Sequence, residues 1–270
     1  MTSYRLAIPA VSLLFFALQL LTRAQTNPDI SKPPAGGATQ VHAPAPNLSQ
    51  EELARLYLVK KQYHEAEEIF RRLTREHPKN AVYWNELGIS LHNQMELDAA
   101  LKCYQKASKL DSHYADPVNN IGTIWYERKR FAKAIRAYQR AISLRNDFAA
   151  FYLNLGYAYF SQKQYEESIT AFRKALQIDP DSFEAGHSRT GTVIQDRTIS
   201  SDRGRFYFLL AKSFAGSGNI ERCVTYLRKA RDEGYQDFNA IKSDPTFAAV
   251  MKDPAAQELF APKPGEGVQP

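Results

Sequence analysis

Cysteine is nearly absent: Cys103 and Cys223 are the only two in 270 residues, which rules out a fold held by a disulfide framework. Metal-ligand spacing is missing too. The six histidines are scattered, and His64-Glu65-x-x-Glu68 lacks the second histidine of a zinc-protease helix. No phosphate-cradling glycine loop and no nucleophile elbow occurs, and Gly216-Ser217-Gly218 is turn chemistry. The sequence therefore predicts no cofactor, no metal site, no catalytic residues and no enzyme. Long apolar runs are absent except for Leu6 to Leu21, 16 residues, short of the ~20 that span a bilayer. Charge of one sign is not in large excess either, with 35 basic and 29 acidic residues and a formal net charge of +6. That mild balance, together with the N-terminus described next, predicts no nucleic-acid partner.

Arg5, the apolar run and then Thr22-Arg23-Ala24-Gln25 read as a secretory signal, with cleavage expected after Ala24. The alternative is an uncleaved inner-membrane anchor; only then is the protein tethered to a membrane. Residues 25–46 contain Pro28, Pro33, Pro34, Pro44, Pro46 and Gly36-Gly37, a linker composition that cannot bury a core. Residues 261–270 read as a tail. Ser49 and Glu52 form a capping box where the first helix should begin.

The dominant signal is a period of 34 residues: Ala54, Gly88, Gly122 and Gly156 recur in phase. So do Tyr57, Leu91, Trp125 and Tyr159; Ala66, Ala100, Ala134 and Ser168; and Phe70, Tyr104, Tyr138 and Phe172. Within a unit, Tyr152, Leu155, Gly156 and Tyr159 share one helical face, and Tyr165, Ser168, Ile169, Phe172 and Leu176 share a second. Small residues let the two helices approach, aromatics fill the gap, and His77-Pro78 and Asp179-Pro180 end units. Four units fill 47–182. Tyr207, Leu210, Ala211, Phe214, Leu227 and Ala230 restore the phase in a fifth, 204–237, after an insertion at 183–203. The insertion is expected to be a loop folding over one edge of the solenoid; Thr192-Val193-Ile194 and Thr198-Ile199 have strand-forming composition, which leaves a short hairpin open. Residues 238–260, with Asp244-Pro245 and Asp253-Pro254 starts, form a cap whose Phe238, Ile241, Phe247 and Val250 close the last apolar face.

Trp84-x-x-Leu87-Gly88 and Tyr152-x-x-Leu155-Gly156-x-x-Tyr159, followed by Ser168-x-x-x-Phe172 and Pro180, resemble the tetratricopeptide repeat (TPR) family. Ser112 and Asn146 stand where proline is usual, and Ser168 where alanine is usual. The resemblance implies an all-α fold, a right-handed superhelical solenoid of about five helix-turn-helix repeats with a C-terminal cap. With helix layers about 10 Å apart and disulfide Cα separations below about 7 Å, Cys103 and Cys223 are expected to be two free, buried thiols.

The resemblance also implies a protein or peptide partner bound along the concave side, which the first helix of each repeat builds. The inward phases are Asn85, Ile89, His92 and Asn93, then Asn119, Asn120, Thr123 and Tyr126, then Leu153, Asn154, Tyr157 and Phe160. Asparagine can hold an extended backbone by donating and accepting, and Tyr126, Tyr157 and Phe160 offer apolar contact. For each of these the alternative is internal: asparagines bonding neighbouring helices, with Tyr157 and Phe160 in the core. Glu51, Asn85, Asn119 and Leu153 stand where a chaperone-adaptor TPR needs lysine to clamp an acidic C-terminus, so that role is not expected. The expected function is an envelope scaffold or adaptor, exported to the periplasm or beyond. The alternative is a binder of anionic lipid or envelope polymer through Arg72, Lys106, Arg140, Lys174 and Lys229, which share one phase. An enzyme centred on 183–203 is the least expected outcome.

Overall fold

The computed structural model describes residues 48–183 and 202–260. Among them there are twelve α-helices and no strand. The strand-forming stretches of the insertion lie outside the described residues. Five antiparallel pairs follow one another: α1 (Gln50–Val59) with α2 (Tyr63–Glu76), α3 (Ala81–Asn93) with α4 (Leu97–Leu110), α5 (Ala115–Glu127) with α6 (Phe131–Leu144), α7 (Ala149–Ser161) with α8 (Tyr165–Ile178), and α9 (Arg203–Gly216) with α10 (Ile220–Asp232). Each helix packs on its partner and on the next pair, the arrangement of a helical solenoid. The short α11 (Phe238–Ser243), two 3₁₀ turns and α12 (Pro254–Phe260) close the end.

The pairing follows from size. Gly88 lies under Tyr104 so closely that a Cβ would sit 2.5 Å from the ring, and Gly122 meets Tyr138 at 2.6 Å in the same way. Gly156 repeats the arrangement with Phe172. Tyr104, Tyr138 and Phe172 are fully buried, each filling the wedge that its glycine opens. At the small-residue position of α8, Ser168 uses its hydroxyl to donate to the Gly156 carbonyl at 2.9 Å, so the departure from alanine leaves no unpaired polar group.

Turns within pairs share a backbone feature. Lys61, Met95, Lys129 and Lys163, all in one phase, have φ between 56° and 65°, and Gly218 takes the place in the fifth pair at 82°. The N-terminal cap is the reciprocal one: Ser49 Oγ accepts from Glu52 N at 3.2 Å while Ser49 N donates to Glu52 Oε2 at 2.9 Å. At the other end Ile241, Phe247 and Val250 are buried against Phe214 and Leu227 of the fifth pair. Asp244 and Asp253 cap the turns after them by accepting from Thr246 N and Ala255 N, both at 2.9 Å. Cys103 and Cys223 are free and buried, and burial raises their thiol pKa values to about 11 and about 12.

Candidate binding groove along the first helices

Successive first helices are drawn tightly together by side-chain bonds. Asn120 Nδ2 donates to Asn85 Oδ1 at 3.1 Å, and Asn154 Nδ2 donates to Asn119 Oδ1 at 3.0 Å. Asn119 Nδ2 also donates to Asn120 Oδ1 at 3.4 Å, joining the two rungs. One shell further along, His92 Nε2 meets the Glu127 carboxylate at 2.9 Å, and the Tyr126 hydroxyl meets Ser161 Oγ at 2.8 Å. These rungs connect residues 35 apart, one repeat plus one position, which is why a pattern search at period 34 does not pair them.

Ten of the twelve residues expected to line the groove are buried within the fold instead. Asn85, Asn119, Asn120 and Asn154 are buried rungs, because a carboxamide sealed between helices must spend its donors and acceptors there. His92, with Tyr104 hydroxyl at 3.3 Å on its other nitrogen, is 4% exposed. Thr123 donates to the Asn119 carbonyl and lies under the Tyr138 hydroxyl, and Tyr126 is buried. Tyr157 stacks on Phe206 at 5.6 Å, and Phe160 meets the same ring edge-on at 5.3 Å, so both belong to the core of the fourth and fifth pairs. Leu153 is buried as well. Ile89 is half-buried, and Asn93 is exposed with its amide folded back onto the Ile89 carbonyl. The buried set therefore forms a floor, and Ile89 and Asn93 stand on it.

Three acidic residues lie nearer the start of the stack. Glu51, Glu86 and Asp116 come from α1, α3 and α5. Glu51 is answered by Arg55 Nη2 at 3.0 Å and by the Tyr83 hydroxyl at 2.8 Å, and Asp116 by Arg145 Nη2 at 2.6 Å. The half-buried Glu86 carboxylate makes no hydrogen bond or ion pair among the described residues. Burial raises its pKa to about 7, with Asp116 and Glu51 adding to the rise and Arg55 opposing it. Asp116 is also held above its usual range by burial, which outweighs Arg145. Sequence reading noted Glu51 only as a missing lysine and did not select Glu86. The usable signal was the 35-residue spacing, which aligns Glu51 with Glu86 as it aligns Asn85 with Asn120.

On the second helices, Arg72, Lys106, Arg140, Lys174 and Lys229 are all exposed. Among the described residues no group of three or more His, Cys, Asp or Glu could hold a metal, and no helix is long and apolar enough to cross a membrane.

Stacked helical pairs, with side-chain rungs between successive first helices, define a repeat solenoid. Sequence models of the tetratricopeptide repeat match residues 51–115 and 149–182, and a further TPR repeat model matches 122–163. The chain belongs to the tetratricopeptide repeat family, a protein-interaction fold. No curated protein matches it. Among solved structures, Pseudomonas aeruginosa pilF is similar over 78% of this chain and 86% of its own, at 19% identity and TM-score 0.50. MamA is similar over 67% and 94%, at 22% identity and TM-score 0.47. YrrB, described as a TPR protein with an unusual peptide-binding site, is similar over 72% and 89%, at 14% identity and TM-score 0.45. These are likenesses of fold.

Proposed function

We propose that the chain is an adaptor of the cell envelope that holds an extended segment of a partner protein along the inner side of its first helices. The observation that carries this is the buried amide ladder. It fixes the spacing of α3, α5 and α7 from within, so a partner meets a surface that needs no further ordering, and binding loses less to entropy. Ile89 and Asn93 rise from that floor as contact residues, with the buried Asn85, Asn119, Asn120, Thr123 and Asn154 holding them in place. The export part of the reading is supported by Arg5, the Leu6 to Leu21 run and the linker after it.

A photo-crosslinking residue in place of Ile89 or Asn93 tests the groove, with Lys174 on the outer side as control. One discrete partner trapped from the inner positions and not from position 174 is the expected result. Trapping only from position 174, weakening steeply with salt, would move the function to the basic outer face. Export is tested separately by sequencing the N-terminus of the protein recovered from cells, where a mature start at Gln25 is expected.

A further inference from the structure

Later first helices reach back to the pair before them from the same few positions. Asn120 bonds Asn85 and Asn154 bonds Asn119, while Glu127 meets His92 and Ser161 meets Tyr126. Gln94 Nε2 donates to Glu67 Oε2 and Arg128 Nη2 to Asp98 Oδ1, both at 2.6 Å and both to the preceding second helix. Between these positions Ser90, Ile124 and Ala158 are sealed from water. Counted back in steps of the repeat, the same places in α1 belong to Glu52, Val59, Lys60 and Leu56. Among the described residues no pair precedes α1, so this face is open.

A solenoid end that faces water needs a polar outer surface or a cap. The far end has α11 and α12. The near end has neither. Leu53 and Leu56 are half-buried, and Val59 is 64% exposed where the next three repeats carry Asn93, Glu127 and Ser161. At about 100° per residue, Leu53 and Val59 lie about 60° to either side of Leu56, and Glu52 and Lys60 lie about 40° to either side. The pattern Glu52, Leu53, Leu56, Val59, Lys60 is therefore symmetric in shape about Leu56 and opposite in charge at its two ends.

We propose that α1 is the interface of a two-fold dimer, packed antiparallel on α1 of a second copy of this chain. Leu56 then meets the partner's Leu56, Leu53 meets the partner's Val59, and Glu52 meets the partner's Lys60, the last two contacts each made twice. Charge complementarity selects this occupant, because an antiparallel copy answers the acid and the base together. Both groups are available. Lys60 has no ion pair among the described residues, and Glu52 spends only Oε2 on the Ser49 cap. The chain just ahead of α1 is a poor alternative cover, since residues 25–47 hold five prolines and only Ile30 and Val41 as large apolar side chains. One helix against one helix is a small contact, so the dimer should be weak, with a Kd on the order of 10 μM. The proposal is independent of the groove at Ile89 and Asn93.

Sedimentation equilibrium of the full-length chain, run across that Kd, should show a reversible doubling of mass. Leu56→Gln, checked for an unchanged helical spectrum, should weaken association about tenfold. Lys60→Glu should weaken it about fivefold by setting carboxylate against carboxylate, and adding Glu52→Gln, which keeps the capping box, should recover most of that loss. Leu56→Cys labelled with benzophenone maleimide should crosslink to α1 of a second copy, while the parent, whose two thiols are buried, takes no label. A parent that stays monomeric tenfold above that Kd, or an association unchanged by L56Q or by K60E, would overturn the proposal. So would crosslinks from position 56 into residues 1–47 of the same chain, which would give the face to the chain's own N-terminal segment.

Discussion

Asn120 donates to Asn85 across two repeats, with both residues sealed from water at 0% and 2% exposure. A buried amide pair is worth little net while intact and costs much when half is removed. Asn120→Ala should therefore destabilise the fold by about 1–3 kcal/mol, because the Asn85 carbonyl oxygen loses its donor. The N85A/N120A double variant should cost less than the two single changes added, by about 0.5–1 kcal/mol. Urea unfolding of the four proteins measures this, and strict additivity would mean the rung is not a coupled unit.

Gly122→Ala puts a methyl group into the face of Tyr138, where a Cβ would sit 2.6 Å from the ring. Overpacking of this kind should cost about 1–3 kcal/mol. Adding Tyr138→Leu should recover part of the loss, since Ala211 and Leu227 hold the same two places in the fifth pair and both are fully buried. Thermal unfolding of the single and double variants decides it; a G122A protein as stable as the parent would show that the ring yields.

Met95 is 72% exposed and sits at φ 65°, a left-handed backbone that suits glycine. Met95→Gly should stabilise by about 0.5–1 kcal/mol, the relief of strain exceeding the added freedom of the unfolded chain. Lys61, Lys129 and Lys163 share that geometry, so the gain should repeat in each. A denaturation midpoint that falls on substitution would count against strain at this turn.

Glu86 titrates at about 7 in the folded chain, above an ordinary carboxylate. The folded state therefore holds its proton more tightly than the unfolded state between about pH 4.5 and 7, and this contribution to stability is present below that window and lost as pH rises through it. The loss should be on the order of 1–2 kcal/mol, since water reaches the group. Glu86→Gln should flatten that slope and make the protein more stable than the parent at pH 8. Equal pH profiles for the two proteins would place the titrating group elsewhere.

Fold and groove were legible to different degrees for a physical reason. The pairing of Gly122 with Tyr138 recurs at one fixed spacing inside each repeat, so periodicity alone exposes helices, turns and core. Contacts between repeats are offset by one further residue, and side-chain direction around a helix decides whether Asn119 points to a partner or to Asn154. Polarity was taken as a sign of exposure, whereas these amides are polar because they are buried against each other. Glu86 escaped notice for the converse reason. A single acidic residue on a helix looks like a solvated one until its neighbours are seen to be already engaged.

The joints between repeats match like with like: carboxylate with carboxylate, amide with amide twice, leucine with leucine. Each joint is a key that fits a restricted set of neighbours, so the chain encodes the order of its modules as well as their shape. Residues 115–148 present an amide at both edges and can be copied in tandem, each copy meeting the last without stranding a polar group, and the inner face then lengthens one unit at a time. Placing 149–182 directly ahead of 81–114 would set Leu153 against Glu86, and the array would resist that permutation. The protein is thus extensible in its middle and fixed in sequence at its two ends.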